Sequence, residues 1–257
     1  MTPPQQLRIA IAGATGVVGR HVVAHARAAG HSVVPMSRGT GQDVTTGAGL
    51  AEALTGADVV VDVTSVLTTR TRPAVDFCTR ATGKLLAAEQ DAGVGHHLAL
   101  SIVGVDGARR GYYAGKVAQE RLVTAGPVPW TVLRATQFHE FAAQLVQRTG
   151  IGPVVAVPAG RVCTVAASEV GAALVALAEA GPSGRATDLG GPEEAELADL
   201  VRRWLAATGQ RRRVVRVPLP GELGRRMRAG GLLPGPDADR GRATFGEWLA
   251  GDAAAVR

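Results

Sequence analysis

Residues 7–19 read Leu7-Arg8-Ile9-Ala10-Ile11-Ala12-Gly13-Ala14-Thr15-Gly16-Val17-Val18-Gly19. The run Leu7–Ala12 alternates into an apolar stretch and then meets glycine, which reads as a short buried strand entering a tight turn. Val18, Val22, Ala26 and Ala29 follow at helical spacing, and Gly30 supplies a stop. The turn fits G-x-x-G-x-x-G through Gly13, Gly16 and Gly19. A strand, this loop and a helix in that order suit the pyrophosphate of a dinucleotide. The first glycine permits the turn, the second lets backbone N–H groups approach the phosphates, and the third allows close helix–strand packing. The helix N-terminus favours the anion. The chain has 34 glycines, so the spacing alone is weak and the strand–loop–helix context carries the reading. Thr15, Val17 and Val18 complete the set of loop residues expected at the cofactor.

Working outward, strands and helices alternate for about 135 residues. Strands are expected at Ser32–Met36, Asp58–Val63, His97–Val103 and Trp130–Leu133. Helices are expected at Leu50–Leu54, Pro73–Ala92 and Tyr113–Ala125. The strands are apolar without strict alternation, the pattern of a parallel sheet covered on both faces. Beyond them the reading is less regular. Helices are expected at Phe138–Arg148, at Ser168–Ala180 with Ser168 as cap, and at Glu194–Thr208; short strands are expected at Val154–Val157 and Val214–Val217. A last short helix falls around Phe245–Leu249. No linker separates two independent domains, so residues 1–257 read as one domain whose substrate lobe comes mainly from about 137–257. The glycine- and proline-rich stretch Met227–Pro236 reads equally as a flap over a substrate or as a surface loop.

Composition narrows the classes. The chain has 257 residues and 46% hydrophobic residues, enough for a large core. No run of about 18 apolar residues argues for a membrane span. Met1–Gly13 has no basic n-region, apolar stretch and cleavage site, so no secretion signal is read. Cys78 and Cys163 lack metal-ligand spacing and read as reduced thiols of a cytoplasmic protein. No H-E-x-x-H or carboxylate cluster points to a metal, and no G-x-S-x-G to a hydrolase. The net charge is +6, yet Arg202–Arg228 holds nine arginines against Glu222 alone, which leaves the rest of the chain at −2. That segment has little aromatic interleaving, so nucleic acid is not expected. It reads as a solvated face, with an acidic partner the minority reading.

Selectivity between NAD and NADP is read at the end of the second strand. An NAD site usually has Asp or Glu about 20 residues beyond the loop, on the ribose hydroxyl. No acid occurs from Ala10 to Gln42, and Ser37-Arg38 stands there instead. Arginine pairs with a 2′-phosphate through two donors and serine adds another, so NADP(H) is expected. Arg20 is a second candidate. Asp43 and Val44 are expected to flank the adenine. Thr64 and Ser65 are expected along the cofactor at the carboxyl edge of the sheet, with capping an equal reading.

The candidate chemistry lies further on. Ser101 ends a strand, and Tyr112 and Lys116 are four apart, on one helix face. A tyrosine titrates near ~10, and a neighbouring ammonium stabilises its phenolate. Tyr112 can then give a proton to a carbonyl oxygen as hydride arrives, while Ser101 orients that carbonyl and Lys116 also holds the nicotinamide ribose.

GATGVVG, DVVVDVTS, LSIVGVD, GYYAGKVAQE and WTVLRATQFHEF follow one another along the chain, and LGGPEEAELADLV and GRATFGEWLAG come later. In these motifs and spacings the chain resembles the atypical short-chain dehydrogenase/reductases related to NmrA-like and NAD(P)H-binding proteins. The resemblance spans nearly the whole chain. It implies an α/β fold with a Rossmann-type doubly wound parallel sheet, an NADP(H) site at Gly13–Gly19 with Arg38, and Tyr112 and Lys116 as the Y-x-x-x-K pair. One departure stands out. The family serine often takes the second place of a Ser-Ser pair, and this chain reads Ser101-Ile102. On that alignment the hydroxyl is missing and Ser101 is a weaker substitute. Tyr113 is the alternative to Tyr112 for facing the nicotinamide. Gln137, Phe138 and His139 are candidates for substrate contact, with His139 as donor or as a packed helix-start residue. Phe138, Phe141, Leu232 and Leu233 suggest an apolar pocket.

Two functional classes follow. One is an NADP(H)-dependent oxidoreductase acting on a small, largely apolar carbonyl. The other is an NADP(H)-binding redox sensor or regulatory protein with little or no turnover. Epimerase or dehydratase chemistry fits the same fold. Monomer and homodimer both remain open.

Overall fold

The computed structural model describes residues 6–251. The chain divides into two compact units. The first runs to Arg134 and takes back Val170–Thr187, and the second holds Ala135–Glu169 and the chain from Asp188 onward. Residues 170–187 thus belong to the first unit.

The first unit contains β1 (Arg8–Ala12), α1 (Gly19–Ala28), β2 (Ser32–Met36), α2 (Leu50–Leu54), β3 (Val59–Asp62), α3 (Thr71–Ala92), β4 (His96–Ile102), α4 (Gly111–Ala125) and β5 (Trp130–Ala135). Its strands lie in the order β5-β4-β3-β1-β2. β1 runs parallel to β2, with Ile9 opposite Val33, and to β3, with Ile11 opposite Val61; β3 runs parallel to β4. The short strand Gly184–Arg185 joins β5 beside Thr131 and Val132. All four residues of β3 are buried, which requires cover on both faces of the sheet. This is the Rossmann-type fold. Its core includes Ala10, Met36, Leu54, Val60 and Leu85.

The strand order fixes where a site can be. From β1 the chain steps to β2 on one side and then to β3 on the other. Ligands of open parallel sheets bind at the carboxyl ends flanking such a reversal. The glycine loop follows β1 there, Thr64 follows β3, and Ser101 lies at the end of β4.

The second unit is built from shorter pieces. Strands Arg213–Val217, Val154–Pro158 and Gly150–Ile151 make one small sheet, and Arg161–Val162 pairs antiparallel with Ala195–Glu196. Leu189 lies opposite Ala135 and pairs onward with Asp239. The helices are α5 (Phe141–Thr149), the start of α6 (Ala167–Ala180), α7 (Leu197–Ala207), α8 (Gly221–Arg228) and α9 (Phe245–Gly251). α7 buries Leu197, Leu200, Val201, Trp204 and Leu205, as its amphipathic pattern requires.

One expectation is corrected: α6 starts at Ala167, so Ser168 lies within its first turn rather than at the cap. In the stretch Met227–Pro236, Met227 is buried as part of α8 and Leu232 is buried too. Among the described residues, no helix is long and apolar enough to cross a membrane. Both cysteines are free and buried.

Arg134 near the end of β5 is 4% exposed. It donates to Glu120 of α4 at 2.8 and 2.6 Å and to Asp106 of the β4–α4 loop at 2.6 and 2.9 Å. One planar guanidinium thus ties strand, helix and loop through two bidentate pairs. Arg134→Met strands the mostly buried Glu120 carboxylate and is expected to cost about 2–4 kcal/mol. Asp106→Asn touches the exposed side of the cluster and is expected to cost under about 1 kcal/mol. Urea unfolding midpoints of the two variants check this; equal losses would show that the cluster does not work as described.

Candidate active site

The glycine loop has the geometry its sequence requires. Gly13 sits at φ +85°, in the left-handed region. Its amide and that of Ala14 donate to the carbonyl of Met36, which binds the loop to the end of β2. A Cβ on Gly19 would collide with the Gly13 carbonyl oxygen and lie 2.8 Å from Ala14 Cα. α1 starts at Gly19 with no acid in its first turn and no side-chain cap. That leaves the positive end of the helix dipole unopposed, as a pyrophosphate needs. Ser37, Arg38, Gly39 and Thr40 form a single tight turn after β2. Thr40 Oγ1 accepts from the Ser37 amide at 2.9 Å and lies 3.1 Å from Ser37 Oγ. Arg38 is exposed on this turn. The loop and the turn fit an NAD(P) group.

Asp43 and Val44 have local partners. Asp43 Oδ1 accepts from the Thr45 amide at 2.8 Å and hydroxyl at 2.6 Å, bonds that hold its carboxyl below the ordinary range. Val44 packs partly against the core.

A buried polar chain links β3, β4 and α4. Asp62, fully buried at the end of β3, accepts at Oδ1 from the Thr64 amide (2.9 Å) and hydroxyl (2.6 Å). Its Oδ2 accepts from Gln119 Nε2 at 2.8 Å. Gln119 Oε1 in turn accepts from Lys116 Nζ at 2.7 Å. Lys116 also donates to the carbonyls of Leu100 (2.9 Å) and Thr64 (3.3 Å). An ammonium has three protons, and all three have acceptors inside the protein. Burial works against the Lys116 charge, but Tyr112, Cys78, Asp62 and Glu120 outweigh it, and its pKa lies above the ordinary lysine value.

Tyr112 lies one helical turn before Lys116. Its ring centroid is 6.0 Å from Nζ, so the cation acts on the ring through space. Tyr113 stands edge-on to Tyr112 at 6.2 Å. Ser65 Oγ donates to Tyr112 Oη at 3.3 Å. Ser101 Oγ is closed to solvent and has no hydrogen-bond partner among the described residues. Thr64 fits the capping reading, since its hydroxyl is spent on Asp62.

Gln137, Phe138 and His139 lie in the second unit, where they run beside Val165. His139 is 1% exposed. Its Nδ1 lies 2.8 Å from Thr164 Oγ1, its Nε2 lies 3.1 Å from the Ala243 carbonyl, and its ring packs on Phe245 and Trp248. The Ala243 carbonyl accepts only from an N–H at Nε2, which leaves Nδ1 to accept from Thr164. Burial lowers the His139 pKa. Both ring nitrogens are thus engaged within this unit. Among the described residues, no group of three or more His, Cys, Asp or Glu side chains is placed to hold a metal.

Two members of the polar chain went unread in the sequence, Asp62 and Gln119. The signal for Asp62 was an acid inside the apolar run Asp58–Val63, where burial demands a partner. For Gln119 it was the i, i+3 spacing to Lys116.

The chain belongs to the NAD(P)H-binding family, whose model matches residues 13–180. No curated protein matches it by sequence. Among solved structures it is similar to MoeE5 in complex with UDP-glucose and NAD. The identity is 19% and the TM-score 0.73, over 96% of this chain and 97% of that one. It is also similar to UDP-glucose-4-epimerase from Stenotrophomonas maltophila with bound NAD, at 16% identity and TM-score 0.74 over 98% of both chains. A third is an NADPH-dependent quinone oxidoreductase from Escherichia coli, at 18% identity and TM-score 0.64, over 94% of this chain and 98% of that one. At these identities the likeness is one of fold.

Two glycine substitutions separate packing from binding. Gly19→Ala forces the loop apart and is expected to cost about 1–3 kcal/mol of stability. Gly16→Ala sets a methyl group 3.2 Å from the Gly13 carbonyl oxygen, a milder contact than at Gly19, so it is expected to cost under about 1 kcal/mol and, on the glycine-loop reading, to weaken NAD(P)H binding about tenfold. Thermal melts and fluorescence titrations check both; unchanged binding by the Gly16 variant would remove the loop from the cofactor site.

Proposed function

We propose that this protein is an NADP(H)-dependent oxidoreductase acting on a small, largely apolar carbonyl substrate. The observation that carries the proposal is Tyr112, set over the buried Lys116 ammonium at the sheet edge that also presents the glycine loop. In this reading Gly13–Gly19 and the start of α1 hold the pyrophosphate, and Ser37 and Arg38 bind the 2′-phosphate. NADPH bound there would supply the hydride to the carbonyl carbon. The protein supplies the proton: Tyr112 Oη gives it to the carbonyl oxygen, and the product is an alcohol. The field of Lys116 stabilises the phenolate that remains. Lys116 is also the residue expected to hold the nicotinamide ribose; without a ligand its protons go to the Thr64 and Leu100 carbonyls and to Gln119.

Support for NADP over NAD comes from the exposed Arg38 at the end of β2 and the lack of an acid there. The quinone oxidoreductase among its structural relatives is NADPH-dependent by name, and MoeE5 and the epimerase carry NAD. The apolar character of the substrate rests on sequence alone, on Phe138 and Phe141.

NADPH is expected to bind at least about tenfold more tightly than NADH, and Arg38→Ala to erase the difference by weakening NADPH alone. Equal affinities in a fluorescence titration would overturn the preference. Tyr112→Phe is expected to lower kcat by about 10²–10⁴ while leaving NADPH affinity within about twofold. Tyr113→Phe is expected to keep turnover within about threefold. Unchanged turnover in the Tyr112 variant would overturn the acid role, and tight NADPH binding without turnover of any carbonyl tested would favour a regulator.

A further inference from the structure

We propose that Ser65 orients the Tyr112 hydroxyl and stabilises its phenolate. It would thus supply a hydroxyl that the Ser101-Ile102 pair does not bring to the tyrosine. The inference rests on the reading of Tyr112 as the proton donor. Three hydroxyl side chains lie at the ends of β3 and β4: Thr64, Ser65 and Ser101. Thr64 donates its proton to Asp62 at 2.6 Å. Ser101 Oγ is buried and has no hydrogen-bond partner among the described residues, so it does not bond to Tyr112. Ile102 has no hydroxyl. Ser65 alone of the three bonds to the tyrosine, donating from Oγ to Oη at 3.3 Å.

Ser65 is exposed, but its backbone is not loose. The preceding residue is pinned at three atoms: the Thr64 amide and hydroxyl bind Asp62, and its carbonyl accepts from Lys116. The same lysine sits one turn from Tyr112. The two sides of the Ser65–Tyr112 contact are therefore held by one buried network, and their spacing is set from beneath. A bond of 3.3 Å is long for two hydroxyls, and catalytic bonds commonly tighten when ligand binds.

The direction of the bond matters. Ser65 donates into Oη, which leaves the tyrosine's own proton free for a substrate oxygen. When that proton leaves, the Tyr112 O–H bond breaks, its electron pair stays on Oη, and a new O–H bond forms on the substrate. The Ser65 proton stays on Oγ and faces the new negative charge. Ser65 is thus a positioning residue that acts through Tyr112.

The chain has only two tyrosines, which allows a test that does not need turnover. In a Tyr113→Phe background, the absorbance titration of the single remaining tyrosine reports Tyr112 ionisation directly. Ser65→Ala is expected to move that titration to higher pH by about half to one unit, the size of one neutral hydrogen bond. Ser65→Thr is expected to restore it, and Ser101→Ala to leave it unchanged. With NADPH and phenanthrenequinone as the probe, Ser65→Ala is expected to lower kcat about tenfold. NADPH affinity should stay within about twofold, and the alkaline limb of the pH profile should shift in the same direction as the absorbance. A titration unmoved by Ser65→Ala, or moved by Ser101→Ala instead, overturns the proposal. A shift in the titration with no turnover by the unmodified protein supports the Ser65 contact and overturns the reading of Tyr112 as an acid in carbonyl reduction.

Discussion

The first unit is organised around one buried positive charge. Lys116 is 3% exposed, and an ammonium out of water is costly unless every proton finds an acceptor. Its three acceptors come from three different places: the Thr64 carbonyl after β3, the Leu100 carbonyl within β4, and the Gln119 side chain on α4. Asp62 supplies the opposite charge through Gln119. A shift of α4 along the sheet would break several of these bonds together. The helix register is therefore fixed, and with it the position of Tyr112 one turn earlier. The same constraint fixes Thr64, and through it the neighbouring Ser65. Lys116 thus fixes the geometry around it.

The parts of the fold with enough residues to show a period were legible in the sequence. β1, the glycine loop and α1 switch from period two to period 3.6 within a few residues, and the structure places them at Arg8–Ala12 and Gly19–Ala28. α3, α4 and α7 were legible for the same reason. The two-residue strands Arg161–Val162 and Leu189–Gly190 were not, because two residues carry no period and their pairing is decided by the packing of distant chain. α8 was hidden by its glycines and arginines, since its own buried residues are only Gly224 and Met227.

At the site, residue types were legible and partners were not. Tyr112 and Lys116 announce themselves by spacing. That Lys116 points its protons at Gln119 and two carbonyls follows only from the fold. His96 and His97 show what alternation does settle. Adjacent on β4, they go to different partners, Thr131 at 2.9 Å and Glu89 at 2.9 Å. His139 shows the limit: its position after β5 suggests a ligand contact, and its burial and two hydrogen bonds come only from the fold. The basic segment also resolves into local uses. Arg225, Arg226 and Arg228 sit in the last turn of α8, where cations oppose the helix dipole. Arg213 and Arg216 line an exposed edge strand, where charge discourages further pairing.

In the proposed mechanism Tyr112, held over Lys116, meets the reacting end of the cofactor. A crystal structure with NADP⁺ bound tests this directly. The nicotinamide ring is expected within about 4 Å of Tyr112 Oη, with the 2′-phosphate on Arg38. A nicotinamide that stacks against Tyr113 instead, or lies beyond reach of Tyr112 Oη, would contradict it.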